Sequence, residues 1–269
     1  MIKNFDPFII SEIGINHNGK LNNAFELIDS SIRAGASAVK FQTYKTEKRV
    51  KKNSPIFEIL KKCEFSYDEF KTIKKYCDKK KIVFFSTPFD VDSVFFLKSI
   101  GVKLLKVASF DISNFEILRA ISKTKIPTII STGMATKKEI DKAYTFFKSK
   151  KMKFSFLHCV SNYPNNEESS YLSCINYLKN KYDCPIGISD HTNDIQTSIY
   201  GYLMGAKIIE KHFVINNRYK CVDLPVSIDE KKMLSLVKKI NHLKKVLGLP
   251  LFGNRKEEKN SYSFKRRKN

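Results

Sequence analysis

The sequence contains no tryptophan, only 8 prolines in 269 residues, and no run approaching the ~20 apolar residues that a membrane span requires. Met1 to Ile10 holds one lysine and a short apolar patch. It lacks a hydrophobic h-region and a small-residue cleavage site, so no signal peptide is read there. The six cysteines, Cys63, Cys77, Cys159, Cys174, Cys184 and Cys221, form no CxxC pair, and none has zinc-site spacing. Free thiols of this kind suit a cytoplasmic protein. Apolar residues at 42% and charged residues at 28% exclude a disordered or fibrous chain. At roughly 100–200 residues per domain, the length allows one large domain or two small ones.

Arginine is scarce too: it supplies 7 of the 49 basic residues, which face 27 acidic ones for a net charge of +22. That charge invites a nucleic-acid reading. Nucleic-acid readers, however, favour the forked donors of arginine. Here the excess is lysine in helix-like segments, such as Lys71, Lys74, Lys75, Lys79, Lys80 and Lys81. Solvated helix faces explain it without a polyanionic partner, and neither nucleic acid nor membrane is expected as one.

What is present is a rhythm. Eight short β-branched or aromatic runs occur at 8–13, 38–43, 82–86, 104–108, 127–132, 154–159, 185–189 and 207–213. Helical patterns follow at 21–34, 67–80, 91–99, 115–122, 137–150, 171–181, 194–204 and 230–247. Eight strand–helix units predict an α/β fold, a closed (β/α)₈ TIM barrel over residues 1–247. An open doubly wound sheet fits less well, because the first turn, Gly14 to Gly19, does not match G-x-G-x-x-G. Gly35 and Gly101 lie where helix C-caps belong, and Asp90 and Thr136 where N-caps belong. The connection 44–66 is long, includes a possible short helix at 56–62, and such connections are functional or mobile. Residues 248–269 form a polar, basic tail ending Lys265-Arg266-Arg267-Lys268.

In such a barrel the active site lies at the C-terminal ends of the strands. Every predicted strand delivers polar groups there: Glu12 running into Asn16-His17-Asn18, Lys40 with Gln42, Ser86-Thr87, Lys106 with Ser109 and Asp111, Ser131, His158 with Ser161, Asn162 and Tyr163, Ser189 with His191, and Glu210 with His212. Four of the five histidines belong to this set. The pattern indicates an enzyme. Lys40 and Lys106 should point into the mouth, and buried ammonium groups need anionic partners. Two readings stand: Glu12 and Glu210 neutralise them, or a small ligand bearing phosphate and carboxylate does, with help from Ser109, Ser131 and the backbone near Gly133. His191 and His212 leave adjacent strands and suit a divalent metal such as Mn²⁺ or Zn²⁺ acting as a Lewis acid.

The segments Ser11-Glu12-Ile13-Gly14-Ile15-Asn16-His17-Asn18-Gly19, Val39-Lys40-Phe41-Gln42-Thr43, Phe85-Ser86-Thr87-Pro88-Phe89, Lys106-Val107-Ala108-Ser109, Ser131-Thr132-Gly133-Met134, His158-Cys159-Val160-Ser161-Asn162-Tyr163-Pro164, Gly187-Ile188-Ser189-Asp190-His191-Thr192 and Glu210-Lys211-His212-Phe213 occur in that order. Together they resemble the N-acetylneuraminate (sialic acid) synthase family, which includes pseudaminate and legionaminate synthases. The resemblance implies a barrel that condenses phosphoenolpyruvate with an N-acylated hexose such as N-acetylmannosamine, giving a nine-carbon 2-keto sugar acid and phosphate. It implies phosphoenolpyruvate contacts at Lys40, Lys106, Ser109, Ser131 and Ser189. It implies metal ligands at His191 and His212, with Mn²⁺ favoured and Mg²⁺ or Co²⁺ as alternatives. Glu12, Asp111 and Tyr163 match sugar-orienting or proton-transfer positions, with Gln42, Ser161 and Asn162 beside them and Asp223 at a further sugar position.

Departures from the family pattern are also visible. Asp111 stands where glutamate is common, and Lys220-Cys221-Val222-Asp223 keeps only the aspartate of a Pro-Gly-Pro-Asp-like stretch. The tail resembles the junction to an antifreeze-like domain that swaps across a dimer and supplies an arginine to the partner's sugar site. A homodimer here would lack that swap. A synthase-like barrel that binds ligand or partner without turnover is therefore the alternative expectation. A synthase for phosphosugars is disfavoured, since no second arginine cluster is found.

Overall fold

The computed structural model describes residues 7–253 and 255–266; Arg267 and Lys268 of the basic run lie outside the described residues. Eight parallel strands close in sequence order into one barrel. They are β1 (Phe8–Gly14), β2 (Ala38–Thr43), β3 (Val83–Pro88), β4 (Leu105–Val107), β5 (Thr128–Ser131), β6 (Phe154–Cys159), β7 (Ile186–Asp190) and β8 (Ile208–His212). The covering helices are α1 (Leu21–Arg33), α4 (Tyr67–Lys80), α5 (Val91–Ser99), α6 (Phe115–Thr124), α7 (Lys137–Ser149), α8 (Ser173–Lys181), α9 (Gln196–Leu203) and α10 (Glu230–Leu247). The expected (β/α)₈ architecture is the one found, with boundaries within about two residues of those read from the rhythm.

Local chemistry sets the helix ends. Asp90 caps α5 by accepting from the Ser93 amide, and Thr136 forms a reciprocal capping box with Glu139 at α7. Ser66 and Glu69 form a second box at α4. Gly35 and Gly101 end α1 and α5 with φ of +79° and +76°. The paired amide bonds Gly35 N to Ile32 O and Ala36 N to Ser31 O make the first of these a Schellman turn. The long connection 44–66 is not loose. It contains α2 (Thr46–Arg49) and α3 (Phe57–Cys63). Tyr44 donates to the Leu60 carbonyl at 2.9 Å, and Glu64 receives the Thr46 amide and hydroxyl.

Strand alternation sorts the side chains into two sets. Ser11 of β1 turns outward and bonds Ser31 of α1 at 2.7 Å. Lys211 of β8 also turns outward, where it pairs with Asp190 of β7 at 3.1 Å in a fully buried site. The intervening residues Glu12, Lys40, Glu210 and His212 face the barrel axis and line a cavity at the C-terminal mouth. The lysines of α4 named above lie on its exposed or half-buried face, several beside carboxylates such as Asp68 and Asp78. Among the described residues, no helix is long and apolar enough to cross a membrane.

Closure leaves no room at Gly187 of β7. A Cβ there would come 2.4 Å from the Ile208 carbonyl and 2.5 Å from Leu157 Cδ2. Gly187→Ala is expected to cost about 2–3 kcal/mol, since β8 backbone must shift. Gly101→Ala meets nothing within 4 Å and is expected to cost about 1–2 kcal/mol from its left-handed φ. Urea denaturation midpoints give the ranking, and the reverse order would contradict this packing.

Candidate active site

The mouth encloses about 250 Å³. At its floor Lys40 reaches Glu12 at 2.8 Å, Thr87 Oγ1 at 3.2 Å and Glu210 at 3.7 Å. Lys106 donates to Ser131 Oγ at 2.6 Å and lies 3.6 Å from Glu210. Ser189 donates to Glu210 at 2.9 Å. The glutamate reading of the two lysines is thus the arrangement seen, though both contacts to Glu210 exceed hydrogen-bond length. Glu210 Oε2, 3.7 Å from Lys40, is buried without a hydrogen-bond partner.

These groups titrate unequally. Burial tends to raise the Glu210 carboxyl, but Lys106 and Lys40 outweigh it and hold the group well below the ordinary carboxylate value. Burial wins at Glu12, which has Lys40 on one side and the like charge of Glu210 on the other, and its pKa is raised. Lys40, though buried, has two carboxylates and stays above its usual value. Burial dominates at Lys106 and lowers it.

Above the floor, the His191 and His212 rings lie 5.5 Å apart. His191 Nδ1 donates to the Val160 carbonyl at 2.8 Å. In a neutral imidazole that bond makes Nε2 the nitrogen able to accept or ligate. His212 Nδ1 sits 3.4 Å from Asp223. Tyr163 stacks on His191 at 4.1 Å. No group of three His, Cys, Asp or Glu side chains among the described residues forms a ready-made metal cage.

Of the residues singled out from sequence, Glu12, Lys40, Gln42, Lys106, Ser109, Ser131, Tyr163, Ser189, His191, His212 and Asp223 line this one cavity. Ser109 Oγ accepts the Gly133 amide at 3.0 Å. Asp111, Ser161 and Asn162 are not among the lining residues. Asp111 instead accepts from Asn114 at 3.0 Å, and burial raises its carboxyl. Two of the four strand-end histidines also fall away. His158 donates to the Ser170 carbonyl at 2.6 Å, and His17 stacks on Phe65 at 4.0 Å, kept neutral by burial. Arg49, which stands in none of the segments that carry the resemblance, also lines the mouth, as do Phe89 and Cys159, which stand in them but carry no site role expected from sequence. Arg49 comes from the long 44–66 connection, whose length was the available signal.

A family model described as the NeuB family matches residues 27–250. The chain belongs to the NeuB family. Among solved structures, the N-acetylneuraminic acid (sialic acid) synthetase of Leptospira borgpetersenii, in complex with citrate, superposes with a TM-score of 0.93 at 40% identity, covering 96% of this chain and 90% of that one. The N,N'-diacetyllegionaminic acid synthase of Legionella pneumophila is 36% identical over 90% of this chain and 73% of its own length. A pseudaminic acid synthase of Campylobacter jejuni is 32% identical over 90% of this chain and 75% of its own. The family's members thus include synthases of three related acidic sugars, and this NeuB barrel aligns with each over nearly its whole length.

Against the pull of burial, Lys106 and Lys40 hold the Glu210 carboxyl of the folded mouth below its value in the unfolded chain. Its contribution to stability is present above the ordinary value of 4.5 and lost as pH falls below it. Glu210→Gln is expected to destabilise the protein by about 3–5 kcal/mol at pH 7, since it leaves two buried ammonium groups underpaired. The gap from wild type should narrow steadily below pH 4.5 in urea titrations. A gap independent of pH would overturn the assignment.

Proposed function

We propose that this NeuB-family chain condenses phosphoenolpyruvate with an N-acylated hexose, giving a nine-carbon 2-keto sugar acid and phosphate. One observation carries the reading: Lys40 and Lys106 converge with the Ser131 and Ser189 hydroxyls on the floor of a cavity whose rim bears two imidazoles. Few small ligands need two buried cations, hydroxyl donors and a carbonyl-activating group together. The complex of the Leptospira relative with citrate, itself a small polyanion, is in keeping with this.

In this reading Lys40 and Lys106 hold the phosphate and carboxylate, assisted by the hydroxyls of Ser109, Ser131 and Ser189. Glu12, Gln42 and Asp223, which lie together around Gly14, face the acceptor sugar, with Tyr163 stacked on His191 beside them. The new bond forms between C3 of phosphoenolpyruvate and the aldehyde carbon of the open-chain sugar. Water adds at C2, and phosphate leaves as the C2–O bond breaks. Glu12, whose carboxyl is raised, takes the proton of that water, while Glu210 remains a fixed charge. Two carboxyls pushed apart by their surroundings divide the work in this way.

His191 and His212 are the residues suited to a divalent cation, with Mn²⁺ first and Mg²⁺ or Co²⁺ as alternatives. The Val160 carbonyl on His191 and Asp223 beside His212 are the outer partners that orient ligating imidazoles. Such an ion, when bound, supplies Lewis-acid polarisation of the acceptor aldehyde.

The test is phosphate release with Mn²⁺, phosphoenolpyruvate and a panel of N-acyl hexoses, with stoichiometric 2-keto acid as product. His191→Ala and His212→Ala should each lose on the order of 100-fold or more in turnover with circular dichroism unchanged. Full activity of wild type in chelator would remove the metal. Phosphoenolpyruvate binding without phosphate release for any acceptor would replace this reading with a barrel that binds and does not turn over.

A further inference from the structure

Arg49 is the last residue of the short helix α2, and its guanidinium lines the mouth. It donates to Gln42 Oε1 at 2.8 Å. Its Cζ lies 3.7 Å from the centroid of Phe89 and 4.7 Å from that of Tyr44. Tyr44 is itself pinned to the Leu60 carbonyl. No carboxylate among the described residues comes within ion-pair distance of Arg49, while the other mouth cations do have such partners, two for Lys40 and one for Lys106. A guanidinium carries five N–H donors, and one is used here. It is therefore a cation held in place by two rings and an amide, with donors left over at the edge of a cavity.

Its position decides which part of a ligand it meets. The two lysines take the floor, while Arg49 sits beside Gln42 on the β2–β3 side, with Ile15 and Phe89 supplying apolar lining. A phosphate dianion would want a second cation free there, and the lysine of that side, Lys40, is already engaged with Glu12 and Thr87. Asp223 and Asp111 instead lie within electrostatic range of Arg49. A neutral, strongly accepting oxygen next to a small apolar group fits better, and an amide carbonyl carrying a methyl has both.

We propose that Arg49 is the specificity-determining residue for the N-acyl group of the acceptor, donating to its carbonyl oxygen while Ile15 and Phe89 receive the acyl methyl. The proposal rests on the acceptor being an N-acyl hexose. Hydrogen bonds from a charged donor contribute about 1.5–3 kcal/mol, so about 10- to 100-fold in affinity is at stake.

The experiment is a cycle between enzyme and ligand, read by calorimetric binding in the presence of phosphoenolpyruvate and independent of turnover. Wild type, Arg49→Leu and Arg49→Lys are titrated with N-acetylmannosamine and with mannose, which lacks the acyl group. Phosphoenolpyruvate alone is titrated as a control for a folded mouth. Arg49→Leu should weaken N-acetylmannosamine by about 10-fold or more and leave mannose and phosphoenolpyruvate unchanged. Arg49→Lys, which keeps the charge and loses the fork, should fall between. Equal weakening of both sugars would make Arg49 a general support of the loop and overturn the proposal, as would no change in either. Failure of wild type to bind any N-acyl hexose while binding phosphoenolpyruvate would instead sink the acceptor assignment.

Discussion

The mouth of this barrel depends on the register in which β1 is held between its two neighbours. Glu12 pairs with Lys40 on β2 and with His212 on β8, so three ionisable side chains from three strands meet at one level. Ser189 and Glu210 are likewise partners across β7 and β8. Side chains alternate with a period of two, so a slip of one residue would turn Glu12 toward α1 and bring Ser11 inward. Ring closure removes that freedom, because each strand is constrained on both sides. The tight approach at Gly187, where β7 lies against the Ile208 carbonyl, is part of the same constraint.

Burying four charges at one level is costly unless they neutralise one another. The geometry does this unevenly. Lys40 stands between two carboxylates, and Glu210 between two ammonium groups at longer range. Glu12 and Lys106 are the less compensated members, and burial moves both toward their neutral forms. The floor therefore combines a firm ion pair with two groups whose charge responds to a neighbour. An anion entering beside Lys106 would favour its charged form. Outward of the same strands, the Lys211–Asp190 pair is sealed by Thr192 and Ser198 and serves packing.

The net charge of +22 turns out to be two separate matters. Most of the lysines stand on helix faces in water, where pairs such as Lys71 with Asp68 contribute little each. The cations that matter at the mouth are Lys40, Lys106 and Arg49. The first two were marked by their place in apolar strands. Arg49 was not, because nothing in a run such as Thr46-Glu47-Lys48-Arg49 distinguishes an arginine that folds back over the barrel from one in solvent. Phe89 and Tyr44, which hold it there, are 40 and 5 positions away in sequence.

The sequence by itself determined the alternation of strands and helices, the caps at Asp90 and Thr136, and the polar character of every strand end. Those are local properties: side-chain periodicity, turn chemistry and capping need only neighbouring residues. It also placed eleven of the fourteen singled-out residues on the cavity, because in a parallel barrel the strand end is a place in space as well as in the chain. Tertiary structure alone decided the remainder. It set Asp111 against Asn114, gave His158 and His17 to packing, and joined Lys40 and Lys106 through Glu210. It also brought Arg49 into the mouth. Each of these depends on which side chain from a distant segment arrives first at hydrogen-bonding distance, and that is set by closure of the barrel and the docking of the 44–66 connection.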